Sequence, residues 1–171
     1  MLDFLNLLIF ILPMYLANSI PVVLGGGMRL DFGREFIDGK PIFGEGKTVQ
    51  GFLAGVLGGS VVAGIIACVY PLAWFPVPSF QFWGGCAMAL GTMCGDATGS
   101  FFKRRMGMES GRPFFPDTMI FVAFALMFAI PFVLPSFYSL ENVAFIFGLT
   151  IIIHPSTNYL ANKLGLKKVP W

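Results

Sequence analysis

Five long apolar stretches divide this chain, and they constrain its fold more than any other feature. They cover residues 2–23, 48–70, 80–94, 118–134 and 143–160, of which the third is the shortest. A membrane-spanning helix needs about 20 predominantly apolar residues, and these stretches approach that length. The runs are continuous and do not alternate with polar residues, which favours helices over a membrane β-barrel. We therefore predict an all-α integral membrane protein with five transmembrane helices, folded as a single domain over residues 1–171.

The eleven basic residues lie in three segments that predict the orientation of the bundle. These segments are 24–47, 95–117 and 161–171, and with five spans they share one side of the membrane. The positive-inside rule makes that side cytoplasmic, so the N-terminus is predicted to lie outside and the C-terminus in the cytoplasm. Seven of the nine acidic residues lie in the same segments. This mixture fits either a solvated surface of mixed charge or a charged site facing the cytoplasm.

A polar stripe runs along the fifth apolar stretch. Thr150, His154, Asn158 and Asn162 recur every four residues, so they share one helix face. Asn18 is a second polar group, near the cytoplasmic end of the first stretch. Polar groups at membrane depth usually face the protein interior or a wet cavity. The stripe therefore predicts either hydrogen bonds between helices or a polar groove between spans one and five.

Small residues recur in the second apolar stretch. Gly51, Gly55 and Gly59 are four residues apart, a spacing that lets helix backbones approach closely in a bilayer. We predict from this that the second span is the central helix. The phenylalanine-rich fourth span is expected to pack on it.

Two motifs lie in the predicted cytoplasmic segments. The first is GEGKTVQG at 44–51, which leads into a Gly-Gly pair at 58–59, and the second is GDATGSFFKR at 95–104. The first resembles the PxKTxEGxxGG stretch of integral-membrane CTP transferases, and the second is similar to the GDxxxSxxKR core of phosphatidate cytidylyltransferases. GRP at 111–113 and PD at 116–117 stand where that family has its second acidic motif. The small size and the five spans resemble the archaeal branch of the family, the CDP-archaeol synthases.

The chain departs from the bacterial and eukaryotic pattern at the second acidic motif. It contains no His-Gly-Gly run, and Ile120 stands where a second acid would follow Asp117 by three residues. A metal site that requires this additional carboxylate is therefore not expected.

The resemblance implies a cytidylyltransferase whose active site faces the cytoplasm. Its substrates would be CTP and membrane-embedded 2,3-bis-O-(geranylgeranyl)-sn-glycerol 1-phosphate, an isoprenoid ether lipid, and its products CDP-archaeol and pyrophosphate. The attacking lipid phosphate is already ionised at neutral pH, so this chemistry needs cations more than a base. Mg²⁺ is the usual bridge between phosphates and carboxylates, and it is the predicted cofactor.

The motifs and the polar stripe together predict the site. Asp96, Lys103 and Arg104 are predicted to be catalytic, and Asp96 and Asp117 to hold Mg²⁺. The residues predicted to contact the nucleotide are Lys47, Thr48, Ser100, Lys103, Arg104 and Arg112. The residues predicted to contact the lipid phosphate are Asn18, Arg29, His154 and Asn158.

Two other functions fit parts of this pattern. An ester-linked phosphatidic acid carries the same phosphate, so a phosphatidate cytidylyltransferase is the nearer alternative. A small membrane transport or scaffold component, whose basic segments only set the topology, is the alternative of another class. Nucleic-acid binding is not expected, because acidic residues are interleaved with the basic ones. The sequence leaves the oligomeric state open.

Overall fold

The computed structural model describes residues 3–109, 112, 114–167 and 169–170, and its regular structure is helical. The five α-helices are α1 (Phe4–Leu24), α2 (Val49–Val69), α3 (Pro78–Arg105), α4 (Phe115–Ala129) and α5 (Leu140–Lys163), with a 3₁₀ helix at Pro135–Tyr138. The described residues form two isolated β-bridges and no strand. The prediction of an all-α fold is confirmed. Gly111 and Pro113 of the second acidic motif, and the basic residue Lys168, lie outside the described residues.

Three of the helices are long and apolar enough to cross a membrane. These are α1 and α2, with 21 residues each, and α5, with 24 residues. α4 is apolar but has 15 residues, and α3 has 28 residues and ends in a basic turn. These lengths and compositions are those of an integral membrane protein.

α3 extends beyond the boundary predicted from hydropathy. The third apolar stretch ends at residue 94, and the sequence predicts a cytoplasmic connection over 95–117. The helix instead continues to Arg105. Gly95 and Gly99 do not end it, because each lies against α4 at a point where a side chain would collide. Hydropathy alone does not predict this extension, because its residues include Asp96 and three consecutive basic residues at 103–105.

α3, and not α2, is the central helix. It packs against α1, α2 and α4. A Cβ atom on Gly91 would lie 2.5 Å from the carbonyl oxygen of Phe124, and one on Gly95 would lie 2.6 Å from the Cα of Phe121. α4 therefore packs mainly on α3, and the expectation that span four packs on span two is wrong. The small residues of α3, more than those of α2, provide the surface that α4 needs.

α2 packs against α1 and α3 through its own glycines. A Cβ atom on Gly59 would lie 2.6 Å from the Cβ of Ala89 in α3 and 2.7 Å from the carbonyl oxygen of Pro13 in α1. This close approach agrees with the predicted role of the small residues in the second stretch.

The largest apolar core lies at the bundle end that holds the α2–α3 and α4–α5 connections. The rings of Phe10 and Phe137 stack there with their centroids 4.0 Å apart, and Trp74 packs edge-on against both. Gln81 ties down the α2–α3 connection, since its side chain bonds the Leu72 N–H and the Tyr70 carbonyl oxygen. This end is closed by aromatic packing, which leaves polar chemistry to the opposite end.

α5 is the most loosely packed helix of the bundle. It contacts α4, α1 and the 3₁₀ helix, and two of its residues, Ile146 and Thr150, are fully buried. Most of its surface is therefore available to lipid.

We expect the α3–α4 contact to be sensitive to a single methyl group. Gly91→Ala would place its Cβ against the α4 backbone, and forced overpacking of this kind costs about 1–3 kcal/mol. The expected result is a lower midpoint of thermal unfolding in detergent. Gly148→Ala in α5 is the matched control, because its Cβ would meet no atom within 4 Å. Equal midpoints for the two variants would contradict the close packing of α3 and α4.

Candidate active site

A cavity of about 600 Å³ opens at the end of the bundle where the charged segments meet. α1, α3, α4, α5, the loop before α2 and the segment after α5 all contribute to its lining. Its charged residues are Lys47, Asp96, Lys103, Arg104, Arg112, Asp117 and Lys167. Five basic and two acidic side chains give the described lining a net charge of +3. The cavity is therefore suited to anionic ligands.

One face of α3 supplies the largest share of the polar lining. Asp96, Ser100, Lys103 and Arg104 all line the cavity. They are spaced by four, three and one residues, which places them on the same side of an α-helix. The GDATGSFFKR motif acts as one surface because α3 stays helical to Arg105. Lys103 and Arg104 therefore lie about two turns beyond Asp96 on one continuous helix.

Two lysine–aspartate ion pairs organise the charges of the cavity. Lys47, in the loop before α2, pairs with Asp96, and Lys103 pairs with Asp117 in the first turn of α4. The four side chains are between 13% and 24% exposed. A largely buried carboxylate needs a cation beside it, and a lysine supplies that cation in each pair.

Asp117 reaches α3 because a glycine lies opposite it. A Cβ atom on Gly99 would collide with the Asp117 carboxylate. Within the described part of the chain, Asp117 Oδ1 and Arg104 Nε are buried and have no hydrogen-bond partner. Buried polar atoms are normally satisfied, so these two are an acceptor and a donor still available to a ligand.

The carboxylates of the cavity fit a magnesium ion. Mg²⁺ is usually held by one or two carboxylates together with water and substrate phosphates, rather than by a cage made of protein alone. Asp96 and Asp117 provide two carboxylates in one cavity, including the unsatisfied Asp117 Oδ1. The described residues contain no cluster of three or more His, Cys, Asp or Glu side chains that could hold a metal. The donor set therefore fits an ion that arrives with a phosphate ligand.

A buried aspartate shapes the loop that carries Lys47. The Asp31 carboxylate accepts hydrogen bonds of 2.9–3.0 Å from three backbone N–H groups, those of Gly33, Phe43 and Gly44. Burial alone would raise the pKa of Asp31, but these hydrogen bonds and the nearby Arg29 outweigh it and hold the pKa below its usual value. Asp31 is therefore a structural anion that folds the loop back over the end of α3.

Arg105 fastens the same loop to the end of α3. Its guanidinium donates to Asp38 Oδ1 at 2.8 Å and to the carbonyl oxygens of Lys40 and Pro41. It also lies 4.9 Å from the ring centroids of Phe36 and Phe101. The sequence predicts no role for Arg105 beyond setting the topology. Its planar fork of donors suits this position better than a lysine would.

The opposite wall of the cavity is a chain of polar contacts between α1 and α5. The Asn18 amide nitrogen lies 3.3 Å from His154 Nδ1, and that of Asn158 lies 3.1 Å from His154 Nε2. Deeper in the bundle, the Tyr15 hydroxyl donates to Thr150 at 2.8 Å. Both interpretations of the polar stripe are thus met, since its residues bond across the two helices and also line a polar groove.

Ten of the twelve predicted site residues line the cavity. They are Asn18, Lys47, Asp96, Ser100, Lys103, Arg104, Arg112, Asp117, His154 and Asn158. Thr48 lies outside the lining: its Oγ1 accepts hydrogen bonds of 3.1 Å from the N–H groups of Gly26 and Gly51, which caps α2. Arg29 also lies outside the lining, where it pairs with the exposed Glu45. The ligand contacts predicted for these two residues stay predictions.

Lys167 also lines the cavity, a position that the sequence pattern does not predict. Its Nζ donates to Asn158 Oδ1 at 2.9 Å. Helical periodicity cannot predict this contact, because α5 ends at Lys163 and the chain then reverses. Gly165, with a φ of +72°, allows the reversal, and a glycine just beyond a last helical turn is a recognisable signal for it.

The fold and the cavity define a helical membrane protein with a site for anionic ligands at one end of an apolar bundle. The chain matches the CarS-like family, CDP-archaeol synthase, over residues 1–171. It is 40% identical to the CDP-archaeol synthase of Methanococcus aeolicus, over 98% of this chain and 96% of the relative. It is 42% identical to the CDP-archaeol synthase of Pyrococcus furiosus, over 95% of each chain.

A solved structure extends this likeness to three dimensions. It is described as an intramembrane enzyme for archaeal membrane lipids biosynthesis, and it superposes with a TM-score of 0.76 at 32% sequence identity. The match covers 88% of this chain and 91% of the other. The chain therefore belongs to the CDP-archaeol synthase family, and the resemblance inferred from its motifs is confirmed.

Proposed function

We propose that this protein joins CTP to 2,3-bis-O-(geranylgeranyl)-sn-glycerol 1-phosphate in the membrane, releasing pyrophosphate and forming CDP-archaeol. The observation that carries this proposal is the cavity of net charge +3, with two carboxylates, at the end of an apolar bundle. Two anionic substrates, one of them anchored in lipid, require such a combination. The family membership and the names of the relatives support the same reaction.

The protein contributes to this reaction mainly by positioning the two substrates and by stabilising negative charge. An oxygen of the lipid phosphate attacks the α-phosphorus of CTP, and pyrophosphate leaves with the electron pair of the broken bond. No general base is needed, because the attacking phosphate is ionised at neutral pH. Lys103 and Arg104 on α3 are proposed to bind the β- and γ-phosphates and to stabilise the charge that develops on them.

Mg²⁺ is the proposed cofactor, and Asp96 and Asp117 are the residues that would hold it. When bound, the ion would neutralise phosphate charge and make pyrophosphate a better leaving group. Lys47 and Lys103 form ion pairs with the two carboxylates. These lysines then have a second proposed role, which is to turn from the carboxylates toward the phosphates of the nucleotide.

The remaining predicted residues are assigned to the two substrates. Ser100 and Arg112, which line the cavity, are proposed to contact the nucleotide. Asn18, His154 and Asn158 are proposed to contact the lipid phosphate on the opposite wall. Thr48 and Arg29 lie outside the lining, so their predicted contacts with the nucleotide and the lipid phosphate remain predictions, and we propose that both also shape the loop that presents Lys47.

We also propose that all five helices span the membrane, with the cavity facing the cytoplasm. The support for this orientation is the placement of the basic residues. In a background without the three native cysteines, Glu141→Cys should react with an impermeant maleimide on intact cells. Arg34→Cys should react only after lysis. The reverse pattern would overturn the orientation.

The assay for this function uses purified protein in detergent with CTP, Mg²⁺ and the geranylgeranylated glycerol phosphate. We expect pyrophosphate release and a CDP-lipid identified by mass. Both should vanish with EDTA and return with added Mg²⁺. An ester-linked phosphatidic acid, assayed in parallel, tests the nearer alternative. Absence of product with either lipid, from well-folded protein, would refute the proposed reaction.

The predicted metal ligand Asp96 can be tested by a change that keeps its shape. Asp96→Asn removes the negative charge, and we expect turnover to fall by about two orders of magnitude or more while the protein stays monodisperse. Glu109→Gln is the matched control, because Glu109 is an exposed acid outside the cavity lining. Turnover at the wild-type rate by Asp96→Asn would remove Asp96 from the metal site.

A further inference from the structure

The segment after α5 returns a lysine to the cavity. The Gly165 N–H bonds the carbonyl oxygen of Asn162, and the Leu166 N–H bonds that of Ala161, which closes the end of the helix. The Asn162 amide then donates to the Lys167 carbonyl oxygen at 2.9 Å. These contacts fix the backbone of Lys167 against the last turns of α5. Leu166 and Val169, on either side of it in the chain, also line the cavity.

Lys167 differs from the other lysines of the cavity in its partner. Lys47 and Lys103 are neutralised by carboxylates, whereas the Lys167 ammonium donates to the neutral amide oxygen of Asn158. Among the described residues no carboxylate forms an ion pair with it. Burial, and then repulsion by Lys47, lower the pKa of Lys167 from its usual value. A bound anion would relieve both effects.

The position of Lys167 indicates which anion it would meet. It lies on the α5 wall with Asn158 and His154, across from the α3 face that carries Asp96, Lys103 and Arg104. Apolar side chains also line the cavity here, with Ile151 and Pro155 on α5 and Val22 on the neighbouring α1. α5 is loosely packed and largely exposed, so a lipid in the bilayer can approach along it. The α5 wall thus combines a cation, amide groups and an apolar surface.

We propose that Lys167 binds the phosphate group of the acceptor lipid and holds it across the cavity from the nucleotide. This inference rests on the proposed function, and it adds a residue outside the recognised motifs. The Asn158 amide oxygen would orient the Lys167 ammonium. When lipid binds, the ammonium would donate to both Asn158 and the phosphate. The alternative is that Lys167 only tethers the end of the chain to α5.

The test separates charge from tethering. Lys167→Gln keeps a donor for Asn158 but loses the charge, Lys167→Met loses both, and Lys167→Arg keeps the charge. Lys163→Met is the control, because Lys163 is exposed and packs on the Tyr159 ring outside the cavity lining. Thermal unfolding of each variant in detergent identifies any that fail to fold.

Three kinetic constants show whether Lys167 contacts the phosphate of the lipid, of CTP or of pyrophosphate. They are the KM for lipid, the KM for CTP and the inhibition constant of pyrophosphate. Losing a charge-assisted hydrogen bond should raise the lipid KM of Lys167→Gln about tenfold or more. We expect the other two constants to stay within about twofold and Lys167→Arg to recover most of the loss. An unchanged lipid KM, or equal rises in the lipid and CTP constants, would overturn the proposal.

A binding measurement without CTP keeps this test independent of turnover. The geranylgeranylated glycerol phosphate should raise the unfolding midpoint of the wild-type protein and of Lys163→Met, and should raise that of Lys167→Gln much less. Equal shifts in all three would overturn the role of Lys167 even if the enzyme is active. Wild-type protein that binds the lipid but makes no CDP-lipid would refute the reaction and leave the binding role intact.

Discussion

The close approach of α3 and α4 is the contact on which the site depends. Gly91, Gly95 and Gly99 lie four residues apart on α3 and leave room for the backbone or a carboxylate of α4. In a bilayer, lipid tails are as apolar as leucine side chains, so close packing supplies much of the attraction between helices. The same approach carries Asp117 onto the charged face of α3, where Lys103 neutralises it. The close packing of α3 and α4 therefore also sets the geometry of the site, since a side chain at Gly99 would displace the Asp117 carboxylate.

Pairing of charges allows this site to exist before any ligand binds. A buried carboxylate without a partner costs several kcal/mol, on the order of the whole stability of a small domain. The lysine partners of Asp96 and Asp117 offset part of that cost. The cavity still carries three more positive than negative side chains in its described lining. An arriving polyanion therefore lowers the mutual repulsion of the cations, and the lysines that neutralise the carboxylates also attract an anionic ligand.

The sequence predicts the parts of this structure that follow from local spacing. The helices follow from continuous apolar runs, and once α3 is known to reach Arg105, its helical period places Asp96, Ser100, Lys103 and Arg104 on one face. The parts it does not predict depend on contacts between distant segments. Hydropathy misses the end of α3, because its last turns carry Asp96 and three basic residues, although Gly95 and Gly99 there pack closely against α4. Thr48 lies within a matched motif, yet its hydroxyl caps α2, and a motif does not state which of its members hold the backbone.

The position of Lys167 is likewise not predictable from local spacing, because it depends on a chain reversal after α5. Its importance follows from the problem that two anionic substrates create in one cavity. If all the cations lay on the α3 face, both substrates would compete for them, and their phosphates would repel each other. Under the proposed function, a cation on the α5 wall would give the lipid phosphate a position of its own, across the cavity from the nucleotide. Under the proposed function, the separation of charge between the two walls sets the direction of attack.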